Sequence, residues 1–125
     1  MTAKTVLIIA GVLGALSVGI GAFGTHGLQD TLSANGKVDT FETAVKYQFY
    51  HTLALLLLGI LMMNFQHAYL NYAAYAFIAG IVVFSGSLYV LSLTNISILG
   101  AITPIGGLGF IAGWVFLVLG VSKGL

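Results

Sequence analysis

Two of the three histidines in this chain are placed where their side chains could act together. His26 follows the first long apolar stretch, and His51 opens the second one. In a hairpin of two membrane helices these positions lie at the same end, so the two imidazoles would share one layer. Ionisable side chains beside hydrocarbon are costly to keep, which makes their positions the best sequence indication of a site.

Three chemical uses for the pair of His26 and His51 compete with a structural role. The rings could ligate a metal, hold a haem as axial ligands, or contact the polar group of a lipid or quinone. A metal site lacks a third ligand, because the chain has no cysteine and Glu42 lies nine residues from His51, roughly 13 Å along a helix. In the structural alternative, the histidines hydrogen-bond between helices.

Further polar residues are expected at the same end of the neighbouring apolar stretches. The candidate polar site consists of His26, His51, Gln48, Tyr47, Ser85, Ser87 and Thr103. The opposite half of the membrane layer carries no ionisable side chain except tyrosine, so a conducting path through one subunit is not expected. A pocket that opens on one side only remains allowed.

The composition assigns the chain to the integral membrane proteins. Hydrophobic residues make up 59% of its 125 residues and charged residues only 6%, too few to cover a water-soluble surface. Four apolar stretches, at about 5–24, 44–65, 68–93 and 96–121, each approach the ~20 residues that cross a ~30 Å hydrocarbon layer. We therefore predict an all-α fold in which residues 1–125 form one domain, a four-helix membrane bundle with short loops.

The longer first loop, between the first two stretches, is predicted to turn and then enter a helix. Asn35-Gly36 is a turn signal. Asp39, followed three residues later by Glu42, resembles a capping box, so a helix is expected to start there and continue into the second span. Glu42 and Lys46 are four residues apart and would form a solvated pair on that helix.

Small residues recur at helical spacing in the first and fourth stretches. They are Gly11, Ala15 and Gly19 in the first, and Gly106, Gly109 and Gly113 in the fourth. Small residues let helix backbones approach in a membrane, where no bulk hydrophobic force drives helices together. We predict that these residues pack against helices of the same chain, with dimerisation through one of the faces as the alternative. Pro104 is expected to break or bend the fourth helix.

The lysines and the length of the first stretch bear on the orientation and processing of the chain. The lysines are shared equally between the two sides of the predicted bundle, and we expect both termini to face the cytoplasm. The first stretch is longer than the core of a secretion signal, so we expect it to be retained as an anchor. His67, in a short link, and Trp114, within the fourth stretch, are expected to lie outside the site.

Four ordered motifs give the chain a family resemblance. They are Gly-Ala-Phe-Gly-Thr-His-Gly-Leu at 21–28, Tyr-Gln-Phe-Tyr-His-Thr-Leu-Ala-Leu-Leu at 47–56, Phe-Ser-Gly-Ser-Leu-Tyr at 84–89, and Thr-Pro-Ile-Gly-Gly at 103–107 with Gly113-Trp114 after it. Together they resemble the family catalogued as domain of unknown function 423, which is related to animal transmembrane protein 256. Thr25 and Thr52 stand where the family pattern has alanine. The resemblance covers essentially the whole chain and implies a small multi-span inner-membrane protein without an agreed activity.

No catalytic motif accompanies these residues. The chain has no nucleophile elbow, phosphate loop or carboxylate pair, and no basic patch for nucleic acid. We therefore expect no enzyme activity, no nucleic-acid partner, no metal and no cofactor. The favoured function is a structural or accessory component of a membrane assembly, surrounded by membrane lipids and present as a homo-oligomer or in a larger complex. The alternative is one-sided binding of a lipid-like molecule, quinone or haem at the layer of His26 and His51, and a transporter or channel comes third.

Overall fold

A computed structural model describes all 125 residues of the chain, which is built from helices without strands. The helices are α1 (Ala3–Gly27), α2 (Gln29–Asn35), α3 (Val38–Met62), α4 (Ala68–Thr94) and α5 (Leu99–Gly124). All except α2 are long and apolar enough to cross a membrane. The predicted all-α membrane fold with four spanning helices is confirmed.

The four long helices extend beyond the apolar layer. α1 and α3 have 25 residues each, α4 has 27 and α5 has 26, which corresponds to roughly 38 to 41 Å. Because the hydrocarbon layer is ~30 Å thick, their ends reach the headgroup region. In α3 the additional length is at the N-terminal end, where Asp39, Glu42 and Lys46 are exposed.

The first loop contains a helix that the sequence did not indicate. α2 covers residues 29–35, and its Leu32 is fully buried. Asn35 donates from its side-chain amide to the carbonyl oxygen of Ser92 at 2.9 Å, which ties α2 to the end of α4. Gly36 ends α2 in the left-handed conformation, with φ of 65°, as a turn at Asn35-Gly36 requires.

The capping box predicted at the start of α3 is wrong, and the break predicted in α5 does not occur. α3 begins at Val38, one residue before Asp39, and its N-cap residue Lys37 makes no side-chain capping bond, so there is no capping box. Asp39 instead lies in the first turn, where its negative charge interacts favourably with the positive end of the helix dipole. Pro104 does not break α5, which continues from Leu99 to Gly124 with Pro104 inside it, and a bend at this position stays a prediction.

The membrane helices pack in the order in which they occur in the chain. α1 packs on α3, α3 packs on α4, and α4 packs on α5 along much of its length. No comparable contact joins α1 to α5, so these two helices lie at the edges and are the least buried of the four. Grooves between next-nearest helices therefore open onto the outer surface of the bundle.

Glycines allow α4 and α5 to approach closely. A Cβ at Gly106 would collide with the backbone of Phe84, and one at Gly109 would lie 3.3 Å from Cα of Gly80. At Gly113 an added Cβ would lie 2.5 Å from a ring carbon of Phe77. The glycine stripe of α5 thus lies in a helix–helix contact, where a side chain would push the helices apart.

The small residues of α1 do not pack against the rest of the chain, contrary to expectation. Nothing lies within 4 Å of a Cβ built at Gly11 or Gly19, and Ala15 is exposed. The buried side of α1 carries Ala10 and Ser17 instead. Ala15 and Gly19 line an open groove of about 510 Å³, which Phe41 of α3 and Tyr89 of α4 border on its other side.

The apolar core lies near the chain termini and the α3–α4 link. It consists of ten buried side chains from α1, α3 and α4: Val6, Ala10, Ala54, Leu55, Leu58, Met62, Leu70, Ala73, Ala74 and Phe77. Leu55, Leu70 and Phe77 are fully buried. In the half of the bundle next to the termini, the space between the helices is therefore filled by apolar side chains.

Candidate functional site

His51 lies within the membrane-spanning part of α3 and not at its entrance. α3 runs without a break from Val38 to Met62, so His51 stands 13 residues from its start, roughly 20 Å along the axis. Lys46, about one and a half turns earlier, is exposed, whereas His51 is only 7% exposed. The imidazole therefore lies deeper than the layer in which it was predicted.

Both ring nitrogens of His51 are engaged. Nδ1 lies 2.9 Å from the carbonyl oxygen of Tyr47, and the indole Nε1–H of Trp114 donates to Nε2 at 3.2 Å. A carbonyl only accepts hydrogen bonds and an indole N–H only donates them. His51 is therefore held as the neutral tautomer with its proton on Nδ1, and its bond to Trp114 joins α3 to α5.

Aromatic rings enclose the imidazole of His51. The ring of Phe110 stacks on it, with the two centroids 3.6 Å apart and the planes 11° from parallel. Phe77 and Trp114 cover other sides, with centroids at 5.9 and 6.0 Å. These contacts restrict rotation of the imidazole and keep Nε2 directed at the indole.

A groove between α3 and α5, which we term the His51 groove, runs along this cluster. It has a volume of about 400 Å³ and is lined mainly by apolar side chains, among them Tyr47, Phe84, Phe110 and Trp114. Trp114 is 45% exposed and His51 only 7%, and both side chains line the groove. The groove opens on the outside of the bundle, where lipid acyl chains would lie.

A second polar cluster, termed the Gln48 cluster, joins α1, α3 and α4. Gln48 donates from Nε2 to the carbonyl oxygen of Leu13 at 3.2 Å, and its Oε1 accepts from the Tyr89 hydroxyl at 2.5 Å. The hydroxyl of Thr52 donates to the backbone carbonyl of Gln48 at 2.6 Å. Because the Leu13 carbonyl can only accept, the orientation of the Gln48 amide is fixed.

The other hydroxyl residues predicted for the site bond between helices. Ser85 donates to the carbonyl oxygen of Ala44 at 2.7 Å and joins α4 to α3. The hydroxyl oxygens of Ser87 and Thr103 lie 2.6 Å apart and join α4 to α5. None of these three hydroxyl residues lines the His51 groove.

His26 is separate from both clusters, which corrects the predicted layer of two histidines. It lies exposed in the last turn of α1 and makes no hydrogen bond. Gly14 of α1 lies against Thr52 of α3. Since the two helices run antiparallel, His51 is level with Ala15, which is eleven residues from His26, or roughly 16 Å along α1.

Neither histidine lies among side chains that could complete a set of three metal ligands. The structure contains no group of three or more His, Cys, Asp or Glu side chains placed to hold one ion. Ligation of a haem through Nε2 of His51 would require its hydrogen bond with Trp114 to break.

A family model supports the similarity carried by the four sequence motifs. The model described as "Protein of unknown function (DUF423)" matches residues 20–107, which is more than half of the chain. The chain belongs to the DUF423 family. The matched part includes His26, the Gln48 cluster on α3 and α4, and His51, while Trp114 lies beyond it.

Relatives of this DUF423 protein match it over nearly their full length. A UPF0382 membrane protein of Staphylococcus haemolyticus is 47% identical over 120 residues, covering 96% of this chain and 97% of its own. One from Staphylococcus saprophyticus is 50% identical, with 94% and 98% covered, and the UPF0382 membrane protein YwdK of Bacillus subtilis is 44% identical, with 96% and 98% covered. Their names state a membrane protein and no activity. No solved structure gives a significant match.

Two residues of this DUF423 protein that donate hydrogen bonds from one helix to another were left out of the predicted site. Trp114 supplies the donor to His51, and Tyr89 supplies the donor to Gln48. A Trp N–H or Tyr O–H inside a membrane needs a partner, and that requirement was the available signal. The sequence does not predict which side chains accept these hydrogen bonds, because the pairing depends on the register between facing helices.

The buried hydrogen-bonding groups in the polar clusters of this DUF423 protein all have partners within the chain. No buried side-chain nitrogen or oxygen lacks a partner. Each cluster joins two or three helices, and neither presents a free nucleophile, base or metal ligand. The side chains of these clusters therefore fix the register between the helices that they join.

Proposed function

We propose that this DUF423 protein acts as a structural or accessory component of a membrane assembly, in the inner membrane of the cell. The observation that carries the proposal is the complete internal pairing of the buried polar side chains. Residues that would perform chemistry in an enzyme or transporter instead join one helix to the next. A rigid bundle with an apolar outer surface suits a protein whose role is to contact other membrane components.

Enzyme and transport functions have less support. A transport path needs polar groups or water at successive depths of the membrane. In the half of the bundle next to the termini, the space between helices is filled by the apolar core, with Leu55, Leu70 and Phe77 fully buried. We therefore propose neither a conducting path through a single chain nor a catalytic role.

Native mass spectrometry after purification in a mild detergent tests the accessory role. The tagged chain is cross-linked in membranes before extraction, so that partners formed only in detergent are recognised and discarded. We expect a stoichiometric partner protein that is present in the cross-linked and the uncross-linked samples. A monodisperse homo-oligomer without any such partner would contradict the proposal.

A second candidate function is the binding of a lipid-like molecule or quinone in the His51 groove. It is favoured by the groove volume of about 400 Å³ and by the polar groups of His51, Trp114 and Tyr47, which border a mainly apolar surface. Haem is less favoured, because both nitrogens of His51 are engaged.

The matched variants His51→Ala and His26→Ala separate this candidate from the accessory role. A ligand held in the groove is expected to copurify with the wild type and with His26→Ala, and to be lost from His51→Ala. Extraction and mass spectrometry would detect an amphiphile, and an absorbance scan would detect haem. Absence of any copurified molecule from the wild type would remove this candidate.

We further propose that both termini face the cytoplasm. Four spanning helices put the termini and the α3–α4 link on one side, together with Lys4 and Lys123. Lysines near membrane helix ends favour the cytoplasmic side, although Lys37 and Lys46 give the other side an equal number. The labelling experiment in the Discussion tests this orientation.

A further inference from the structure

A polar notch lies between α1 and α3 at the level of the headgroups. It has a volume of about 230 Å³ and is lined by Gly21, Thr25, Glu42, Val45 and Lys46. The absence of a side chain at Gly21 keeps the notch open, because a Cβ there would lie 3.0 Å from Val45 Cγ1. The notch is separate from the His51 groove and shares no residue with it.

The notch continues into an apolar depression toward the membrane interior. This depression has a volume of about 220 Å³ and shares Val45 and Lys46 with the notch, and its other lining residues include Val18, Phe49 and Tyr50. We term the two together the interfacial groove. From Glu42 to Phe49 it follows α3 for seven residues, or roughly 10 Å, which suits a lipid headgroup with the start of an acyl chain.

The charges of the interfacial groove are of opposite sign and one helical turn apart. Glu42 and Lys46 are both exposed, and the structure records no ion pair or hydrogen bond between them. Thr25 donates its hydroxyl proton to the carbonyl oxygen of Gly21 at 2.7 Å, which leaves its oxygen lone pairs able to accept. The notch therefore offers one cation for an anion, and two acceptors for a cation with N–H groups.

A zwitterionic headgroup matches this arrangement. We propose that the interfacial groove binds a phospholipid with an ethanolamine headgroup, whose phosphate contacts Lys46 and whose ammonium donates to Glu42 and Thr25. An acyl chain then follows Val18 and Phe49 into the membrane. A choline headgroup carries no N–H to donate, and a glycerol headgroup has no cation for Glu42.

The α1 wall of the groove has an irregular backbone, which supports the assignment independently. Residues 20–24 form a π-helical turn, and Gly21 lies within it. Such turns are rare and occur frequently at functional sites. Since the proposal concerns only the α1–α3 surface, it does not depend on the accessory role or on the His51 groove.

The test uses the full chain in nanodiscs that contain equal amounts of ethanolamine, choline and glycerol phospholipids with identical acyl chains. Native mass spectrometry then identifies the lipids that the released protein retains. The wild type is expected to retain the ethanolamine lipid preferentially. Glu42→Gln is expected to lower the ethanolamine-to-choline ratio two- to fivefold, the range for an exposed ion pair. Lys46→Gln is expected to lower retention of all three lipids by about fivefold.

Two charge-matched variants serve as controls. Asp39→Asn removes a carboxylate from the same end of α3, and Lys37→Gln removes an amine from the same side of the membrane, and neither residue lines the groove. Both are expected to retain lipids as the wild type does, and thermal unfolding verifies that all four variants are folded. Equal retention of the three lipids by the wild type, preference for the glycerol lipid, or control variants that behave like Glu42→Gln and Lys46→Gln would each overturn the proposal.

Discussion

Single hydrogen bonds join neighbouring helices at several depths of the bundle. Tyr89 bonds to Gln48 between α4 and α3, and Trp114 bonds to His51 between α5 and α3. Inside a membrane, water cannot replace a lost partner, but the unfolded chain finds other partners in the bilayer. Measured interhelical hydrogen bonds therefore contribute only about 0.6 kcal/mol on average and up to about 1.7 kcal/mol.

Removal of the Tyr89 hydroxyl is expected to destabilise the protein by about 0.5 to 1.5 kcal/mol. In Tyr89→Phe the side-chain oxygen of Gln48 loses its donor, while its amide nitrogen keeps the bond to Leu13. The free energy of unfolding, measured by SDS titration in mixed micelles, reports the effect. Tyr75→Phe is the control, because Tyr75 is exposed and its hydroxyl has no recorded bond. Equal effects of the two variants would contradict the assignment.

The sequence indicated which polar residues would lie inside the bundle, but not which of them form hydrogen bonds with each other. Gln48, His51, Ser85 and Ser87 were expected in the site and are all buried. The pairing of His51 with His26 failed because α3 begins at residue 38 and continues deep into the membrane before it reaches His51. Partners depend on helix register, which is set by packing between distant parts of the chain.

At the scale of the helices, two similar stripes of small residues have different environments. The stripe on α5 faces α4, where Gly106 leaves room for the backbone of Phe84. The stripe on α1 has no helix packed directly on it, because nothing lies within 4 Å of a Cβ built at Gly11 or Gly19 and Ala15 lines an open groove. Spacing alone predicts that a helix can be approached closely, but it does not determine whether the approaching helix belongs to the same chain.

Alanine substitutions at Gly106 and Gly11 are expected to have opposite effects. Gly106→Ala places a methyl group against the Phe84 backbone and is expected to cost about 1 to 3 kcal/mol or to prevent folding. Gly11→Ala meets nothing and is expected to be neutral or stabilising by up to about 1 kcal/mol. Unfolding of both variants in the same micelles provides the comparison, and a stable Gly106→Ala protein would contradict the observed packing.

Hydropathy located the membrane helices, whereas local features of the elements were harder to predict. The spans were expected near the observed α1, α3, α4 and α5, because long apolar runs have few alternatives. The π-helical turns at residues 20–24 and 81–85 had no sequence signal. Helix α2 was missed because its short sequence has only one buried apolar residue, Leu32.

At the scale of the whole molecule, four spans require both chain ends on the same side of the membrane. The chain has no native cysteine, so single cysteines can be introduced without background. Thr2→Cys and Asn64→Cys are expected to react from one side, and Ser33→Cys from the other, with a membrane-impermeant thiol reagent. All three positions are exposed.

The labelling pattern tests the number of membrane spans and the orientation of the chain separately. With cytoplasmic termini, only Ser33→Cys reacts in intact cells or spheroplasts, and Thr2→Cys and Asn64→Cys react after permeabilisation. The reverse pattern would overturn the orientation and retain the four spans. Reaction of Thr2→Cys and Ser33→Cys from the same side would contradict the fold itself.

The membrane class follows from composition, but the function does not, because the polar residues serve contacts within the bundle. A sequence shows that a histidine lies in an apolar segment. This pattern is the same whether the histidine binds a ligand or contacts another helix, so the sequence does not distinguish the two roles. In the structure both ring nitrogens of His51 are engaged in hydrogen bonds, and His26 is exposed.

The most direct test of this account is a double-mutant cycle between His51 and Trp114, measured as the free energy of unfolding in mixed micelles. The variants are His51→Phe, Trp114→Phe and the double variant, which keep an aromatic ring at each position. If the pair joins α3 to α5, the double variant loses less stability than the sum of the single variants, with a coupling of about 0.5 to 2 kcal/mol. Strictly additive losses would contradict the central claim that these polar groups hold the helices together.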